Sequence, residues 1–427
     1  MKKWLKAQIR NYAGDALPPN SGDCEKFFTF LNLLIPILTG LYVFLNPLPL
    51  SAASEFCFYL SLAALIVLLI FKKTCFTLRW PLTLPIALFF TWAVFGLFFT
   101  LDFKNSLHDL RGHLLEFLII FYLLVNYFHS QKKLEDLSWI VISSTTIFSV
   151  GAVIVFYFIE GFPFNARLGS TFKEMYTGWM CFITIFAVTL TLNNLYKAKS
   201  LTGRALLTAC LLIMTTTTLL NQSRGALIGL LAALIIMCFS NRKNLIFIII
   251  VVLLILLIPG IKERVSNEGF ADIRSKMNRL YIEIIGDYPV TGVGFGMQIY
   301  GNKNVLDLEK YNKKLPQKHQ QEKIIASPHN TLLDVAVRTG IIGLLLYVYI
   351  LLCALFMLWQ TLRRSGEYFR SWSICLFACF MSFMLQALFA DTTFGSRAVV
   401  FYTILAMITI LWSLGRQETP EEIATIH

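Results

Sequence analysis

Long apolar runs are the feature that most constrains the fold of this chain. Runs of roughly 17–22 mainly apolar residues alternate with charged clusters along its 427 residues. An α-helix needs about 20 such residues to cross the hydrocarbon core of a membrane. Apolar and polar residues do not alternate within the runs, as they would in a transmembrane β-barrel. The sequence therefore predicts an all-α, polytopic integral membrane protein.

About 12 transmembrane helices can be drawn from these runs. They cover residues 27–46, 52–71, 81–100, 110–128, 138–159, 176–193, 204–221, 224–240, 244–259, 339–360, 371–390 and 396–414. We expect residues 1–259 to contain the first nine helices and residues 260–338 to form one large periplasmic loop with short helices. Residues 339–427 then contain the last three helices and a cytoplasmic tail.

Basic residues predict the orientation of the chain in the membrane. The net charge of +12 would suggest nucleic acid as the partner of a soluble protein. Lysine and arginine also mark the cytoplasmic loops of membrane proteins. With the N-terminus inside, the cytoplasmic segments contain about 19 basic residues and the short outer loops about 6. Both termini are therefore predicted to be cytoplasmic, with membrane lipids and no nucleic acid as partners.

A few arginines fall on the outer side, against this rule. Arg167, Arg224 and Arg397 each lie near a helix end, and Arg279 lies in an amphipathic stretch that would suit the membrane surface. Contact with lipid headgroups or a local ion pair would explain each of them. A guanidinium group also binds phosphate in a bidentate manner. Several arginines at one membrane depth indicate a pyrophosphate held at the outer leaflet.

The segment Ser327-Pro328-His329-Asn330 resembles a helix start, with serine as the cap and proline at the first position. His329 would then lie in the first turn, where the helix dipole disfavours imidazolium. A neutral imidazole can act as a general base. The alternative is a histidine that only caps or packs.

The glycine run at 292–296 lacks the spacing of a dinucleotide fingerprint. Pro289 precedes it, so we expect a tight turn that brings Arg279 and His329 toward each other. His108 and His113 are five residues apart and should not share a helix face. Without paired carboxylates or CxxC patterns, we expect neither a metal nor a cofactor.

Four elements of the sequence together resemble the bacterial O-antigen ligase/polymerase superfamily. The stretch 221–226 resembles its "SRGA" element, and 167–172 its "RLxGTF" element. Arg279-Leu280 with the glycine run, and His329-Asn330 with Thr339-Gly340-Ile341-Ile342-Gly343, resemble two further elements. They follow the family order across most of residues 167–343. Lys173-Glu174-Met175 depart from the family's Asn-Pro-Asn.

The resemblance implies a metal-independent, inverting glycosyltransferase on the periplasmic side of the bacterial inner membrane. Its donor would be a glycan on undecaprenyl pyrophosphate, and the O-antigen ligase branch transfers it to lipid A–core. The implied residues are His329 and Arg279 for catalysis, Arg167, Arg279 and Arg224 for pyrophosphate binding, and Asn330 and Gly294 for support.

Other functions remain open at this point. An O-antigen polymerase or a protein O-oligosaccharyltransferase would use the same donor, although one dominant outer loop favours the ligase. A transporter of lipid-linked glycans would need ionisable residues inside the spans, for which Glu116 and Asp391 are candidates. A structural membrane protein with a docking loop is the third possibility.

Overall fold

The computed structural model describes residues 23–169, 177–257, 269–364 and 366–417. Within these ranges the regular structure is helical, which confirms the all-α class. The α-helices are α1 (Asp23–Leu45), α2 (Ser51–Ile70), α3 (Thr83–Gly96), α4 (Phe103–Asp109), α5 (Glu116–Tyr127), α6 (Gln131–Val153), α7 (Thr177–Lys197), α8 (Leu201–Leu220), α9 (Arg224–Met237), α10 (Asn244–Leu257), α11 (Gly269–Asp287), α12 (Leu308–Lys314), α13 (Thr331–Leu362), α14 (Glu367–Ala387) and α15 (Gly395–Gln417). Two π-helical turns, Leu110–Leu115 and Ile154–Ile159, and two 3-10 turns, Gln298–Gly301 and Gln317–His319, complete them.

Nine helical regions in the described ranges are long and apolar enough to cross a membrane. They are Glu25–Leu45, Ser51–Ile70, Phe103–Tyr127, Gln131–Ile159, Trp179–Lys197, Leu201–Leu220, Thr331–Leu362, Glu367–Ala387 and Gly395–Arg416. Three shorter apolar helices, Thr83–Gly96, Arg224–Met237 and Leu245–Leu254, correspond to the third, eighth and ninth predicted spans. Each of the twelve predicted spans is therefore helical, and a full count of twelve crossings stays a prediction.

Helix α15 lies at the centre of the bundle. Of its most apolar stretch, 94% is buried, and it packs against α5, α7, α13 and α14. Threonines are tolerated in this interior because their hydroxyls bond back to helix carbonyls. Thr217 and Thr218 do so with Ile213 and Met214, at 2.9 Å each.

Connections that the charge pattern assigns to the outer side meet at one end of the bundle. The side-chain amide of Asn46, after α1, donates to the backbone carbonyl of Ser396 at 3.3 Å. The Leu168 amide, after α6, donates to the Leu220 carbonyl at 2.9 Å. These connections thus share one side, as predicted. That this side faces the periplasm stays a prediction.

Residues from α11 to the start of α13 form a second apolar core on this end. Its buried members are Met277, Leu280, Tyr281, Ile284, Val293, Ile299, Tyr300, Leu306, Leu308, Tyr311, Leu315 and Val337. The amphipathic helix predicted around Arg279 is present as α11. Its main apolar face covers this core, so the expectation that this face lies on the membrane is wrong. Only a narrow apolar edge, including Ile282, is exposed.

The glycine run is held against a kink in α13. The Val293 amide donates to the Val337 carbonyl at 2.9 Å, and the Gly294 amide to the Arg338 carbonyl at 3.1 Å. Gly340 breaks the helix with φ of 71°, where an added Cβ would lie 1.9 Å from the Val290 carbonyl oxygen. The predicted turn after Pro289 is present at residues 289–291. Close contact with neighbouring backbone therefore explains Gly340 and Gly292.

Candidate active site

A cleft of about 840 Å³ opens beside α11 at the outer end of the bundle. Its lining residues are Arg274, Ser275, Met277, Asn278, Arg279, Ile282, Glu283, Leu315, Pro316, Lys318, His319, His329, Leu388 and Phe389. Arg274, Arg279 and Lys318 carry permanent positive charge, against one carboxylate, Glu283. The cleft therefore attracts anions. It also brings together Arg279 and His329, as the predicted turn required.

His329 lies just before α13 and not inside its first turn. The helix begins at Thr331, and the Asn330 side chain caps it by accepting the amides of Leu332 at 3.0 Å and Leu333 at 3.2 Å. The predicted helix start with Ser327 as the cap is therefore wrong, because Asn330 takes that role. His329 adopts φ of 45°, and its side chain is 48% exposed where it faces the cleft.

Asp391 lies behind the imidazole ring of His329. Its Oδ2 atom is 3.4 Å from His329 Nδ1 and also accepts a hydrogen bond from the Ser327 hydroxyl. Burial raises the pKa of the Asp391 carboxyl. Hydrogen bonds from His329 and Ser327, together with the positive charges of His329 and Arg397, outweigh burial, so this pKa lies below the usual range. An ionised carboxylate thus faces one ring nitrogen and leaves the other, Nε2, on the far edge of the ring.

Thr331 fixes the segment that carries Asp391. Its hydroxyl donates to the Ala390 carbonyl at 2.8 Å and accepts the Thr392 amide at 3.1 Å. On the other side, the buried Tyr281 hydroxyl donates to the Ile325 carbonyl at 2.8 Å. These bonds tie α11, the segment before His329 and the segment around Asp391 into one frame.

Arg274 is a second guanidinium in the cleft, on the same helix as Arg279. It is half-buried, and its guanidinium carbon lies 4.8 Å from the centre of the Phe389 ring. Burial lowers the pKa of Arg274, and the positive charge of Arg224 lowers it further. Arg224 therefore lies close to the cleft. Consistently, an added Cβ at Gly225 would lie 3.2 Å from the Phe389 ring.

Arg167 lies against the turn that leads to Arg224. Its Nε donates to the Asn221 carbonyl at 2.8 Å, and the Asn221 side chain donates to the Leu168 carbonyl at 3.1 Å. Arg167 is not among the residues that line the cleft. The rest of the "RLxGTF" element, with Lys173-Glu174-Met175, lies outside the described residues.

Comparison with known protein families gives a match. Residues 209–348 match the model of a family described as O-Antigen ligase. The chain is similar to this family over those residues. The match contains Arg224, Arg279 and His329, whereas Arg167 and Asp391 lie outside it. No curated protein matches the chain.

Two further predicted site residues, Asn330 and Gly294, have structural roles in this fold. Asn330 caps α13, as described above. Gly294, with φ of 118°, packs away from the cleft, where an added Cβ would lie 1.8 Å from Thr100 Oγ1. The sequence analysis missed Arg274 and did not connect Asp391 with His329. The signal for Asp391 was a polar triplet, Asp391-Thr392-Thr393, between two apolar runs.

Asp109 contacts both His108 and His113. His108 Nδ1 lies 3.0 Å and His113 Nε2 lies 3.8 Å from Asp109 Oδ1. His108 directly precedes Asp109 and His113 follows it by four residues, so these contacts do not place the two rings on one helix face. The other oxygen of Asp109 accepts the Met297 amide at 2.7 Å. This carboxylate therefore anchors the glycine-rich segment.

Proposed function

We propose that this protein transfers O-antigen glycan from undecaprenyl pyrophosphate to a sugar hydroxyl of lipid A–core, which completes lipopolysaccharide. The transfer would occur at the periplasmic face of the bacterial inner membrane. One observation carries the proposal: a single positively charged cleft contains Arg274, Arg279 and His329, with Asp391 behind the histidine. The match of residues 209–348 to the O-Antigen ligase family supports ligase-type or polymerase-type chemistry in general.

The arginines of the cleft suit the pyrophosphate of the donor. Arg274 and Arg279 line the cleft, and Arg224 is close enough for its charge to act on Arg274. Planar guanidinium groups bind phosphate oxygens in pairs and remain charged at any physiological pH. Ile282, Leu388 and Phe389 give the cleft an exposed apolar edge, along which the polyprenyl chain would reach the bilayer.

His329 is the general base in this proposal. The Asp391 carboxylate accepts a hydrogen bond from the Nδ1–H group, so Nε2 keeps its lone pair and takes the proton of the acceptor hydroxyl. The hydroxyl oxygen bonds to C1 of the donor sugar on the face opposite the leaving group. The bond from C1 to the pyrophosphate oxygen breaks and undecaprenyl pyrophosphate leaves. The configuration at C1 of the transferred sugar, now bonded to the acceptor oxygen, is inverted. Asp391 then stabilises the imidazolium that forms.

The guanidinium groups stabilise the negative charge that develops during transfer. Negative charge grows on the pyrophosphate oxygen as the C1–O bond breaks, and Arg274 and Arg279 are placed around the same cleft. Preorganised donors of this kind are typically the largest single contribution to catalysis. The proposal therefore needs no metal ion for the leaving group.

The competing functions have less support. Glu116, a candidate for a transport pathway, accepts a hydrogen bond from the Tyr42 hydroxyl at 2.9 Å. Asp391, the other candidate, lies between α14 and α15 beside His329, not within a span. Polymerase and protein O-oligosaccharyltransferase activities would use the same donor site and differ in the acceptor.

Purified protein in detergent separates these functions. It would be incubated with lipid-linked glycan, with and without the lipid A–core acceptor, and the products resolved by gel electrophoresis. The ligase makes glycosylated lipid A–core only when the acceptor is present. Longer lipid-linked chains without acceptor would identify a polymerase, and no covalent product under either condition would contradict an enzymatic function.

A further inference from the structure

Two adjoining clefts lie at the opposite end of the bundle from the candidate active site. One, of about 800 Å³, lies among the end of α7, the starts of α8 and α14, and the turn after α9. Helix α14 connects the two ends, because Phe389 in the active-site cleft follows its last turn. Its 21 residues place the two sites about 30 Å apart. The second site therefore has no contact with the donor cleft.

Lys197 supplies an unpaired buried charge to this second cleft. Its Nζ atom lies 4.4 Å from the centre of the Trp372 ring and 4.8 Å from that of Tyr368. The same atom is buried and has no hydrogen-bond partner among the described residues. Aromatic faces attract a cation but do not replace the hydrogen bonds that it loses on burial. An anion in the cleft would supply them.

Other residues of the cleft add to its positive charge. Lys199, Arg204 and Arg370 line it together with Lys197, and Glu367 is the one carboxylate among the lining residues. Four cations against one anion give a net positive site at the end of the membrane helices. Basic pockets between membrane helices are typical binding sites for the headgroups of anionic lipids.

An apolar groove of about 770 Å³ continues from this cleft. The two share Phe239, Glu367, Arg370 and Ile374. The groove is otherwise lined by the apolar side chains of Ile236, Leu362 and Phe377, from α9, α13 and α14, and by Arg364 and Gly366. Phe239 and Phe377 are also exposed on the outer surface of the helices. A molecule with an anionic head and an acyl chain matches both parts.

We propose that the two clefts bind one anionic phospholipid of the adjacent leaflet. Its phosphate lies beside Lys197, Lys199, Arg204 and Arg370, and an acyl chain occupies the groove lined by Ile236, Phe239 and Phe377. This site is separate from glycan transfer, and it stabilises the packing of α7 against α14. A free phosphate shares the headgroup chemistry but leaves the groove empty, so the two are distinguishable.

Thermal unfolding of the full chain tests the proposal. Protein delipidated in a neutral detergent would be melted with phosphatidylglycerol, phosphatidylcholine or inorganic phosphate. We expect phosphatidylglycerol to raise the apparent Tm by several degrees more than phosphatidylcholine does. Inorganic phosphate should raise the apparent Tm by less than half as much as phosphatidylglycerol. In the double variant Lys197→Gln/Arg370→Gln, the two lipids should shift the apparent Tm equally. Arg363→Gln is the matched control, because Arg363 packs on Trp359 and lines neither cleft.

Three outcomes would overturn the proposal: equal shifts with both lipids, a shift with phosphate as large as with phosphatidylglycerol, or a full lipid difference in the double variant. If the double variant does not fold, the exposed pair Lys199→Gln/Arg204→Gln replaces it. That variant should lose at least half of the lipid difference, and an unchanged difference would also contradict the site.

Discussion

The Nδ1 atom of His329 lies 3.4 Å from the Oδ2 atom of Asp391. The carboxylate side chain is 4% exposed, so it holds the ring from within the protein. Asp391→Asn keeps the shape but removes the charge that stabilises the imidazolium. We expect the rate of transfer to fall by about 10²–10⁴, the usual contribution of general acid–base catalysis. Asp287→Asn, an exposed aspartate paired with Lys314, is the control and should retain full activity in the same assay.

Asp391 also predicts a pH dependence of stability. Hydrogen bonds from His329 and Ser327, together with the positive charges of His329 and Arg397, outweigh burial and keep its pKa below that of an ordinary aspartate, about 3.9. The ionised form therefore stabilises the folded state above pH of about 4, and this contribution is lost as the pH falls through the lower folded pKa. The difference in Tm between wild type and Asp391→Asn should be largest near neutral pH and shrink below about pH 4. A difference that grows on acidification would contradict this assignment.

Arg279 is expected to act on the pyrophosphate. Arg279→Gln should reduce kcat/KM by roughly 10²–10³, or about 2.7–4 kcal/mol, by analogy with the loss of an oxyanion-hole donor. Arg279→Lys keeps the positive charge but loses the planar guanidinium group, so its kcat/KM should lie between those of the wild type and Arg279→Gln. Lys310→Gln removes a charge from the exposed start of α12, outside the cleft, and should have no effect. Equal activity of Arg279→Gln and this control would remove Arg279 from the site.

A buried ion pair supports the outer end of α13. Arg338 donates to Asp334 at 3.1 Å, and its guanidinium also donates to the Phe295 carbonyl. Arg338→Leu leaves the Asp334 charge uncompensated and should cost about 3–5 kcal/mol of stability. Asp334→Leu/Arg338→Leu should be less destabilised than that single variant. The apparent Tm of both in detergent checks this order, and the reverse order would show that the pair is not coupled.

Gly294 is predicted to support the fold and not the chemistry. Its φ of 118° and the close Thr100 hydroxyl exclude a side chain, so Gly294→Ala should destabilise by at least about 1–3 kcal/mol. At Gly301 an added Cβ would meet nothing within 4 Å, so Gly301→Ala is the matched control. The yield and Tm of folded protein measure both variants. Similar yields and Tm values for Gly294→Ala and Gly301→Ala would show that the close approach of Thr100 does not affect stability.

The helices were predictable from the sequence because each depends on a local property. An apolar run must become a helix in the membrane, since its backbone polar groups have no other partners there. Arg224 at the start of α9 and the turn after Pro289 are likewise local features. The path of α11 was not predictable, because its apolar face suits a membrane surface and a protein core equally well. Only tertiary packing decides between the two.

The meeting of Arg279 and His329 in one cleft was predictable from the motifs and the turn between them, and their roles in catalysis stay predictions. Asp391 and Arg274 were missed because their roles come from neighbours distant in sequence, His329 and Phe389. The true start of α13 was missed because Ser327 and Asn330 are both good cap residues.

Donor binding and transfer, measured together on purified variants, test the central claim most directly. His329→Gln should bind undecaprenyl pyrophosphate with the Kd of the wild type and yet form no glycosylated lipid A–core. Arg274→Gln/Arg279→Gln should lose at least about tenfold in donor affinity, or 1.4 kcal/mol. If His329→Gln transfers glycan at the rate of the wild type, or the double arginine variant binds and transfers normally, this cleft is not the active site.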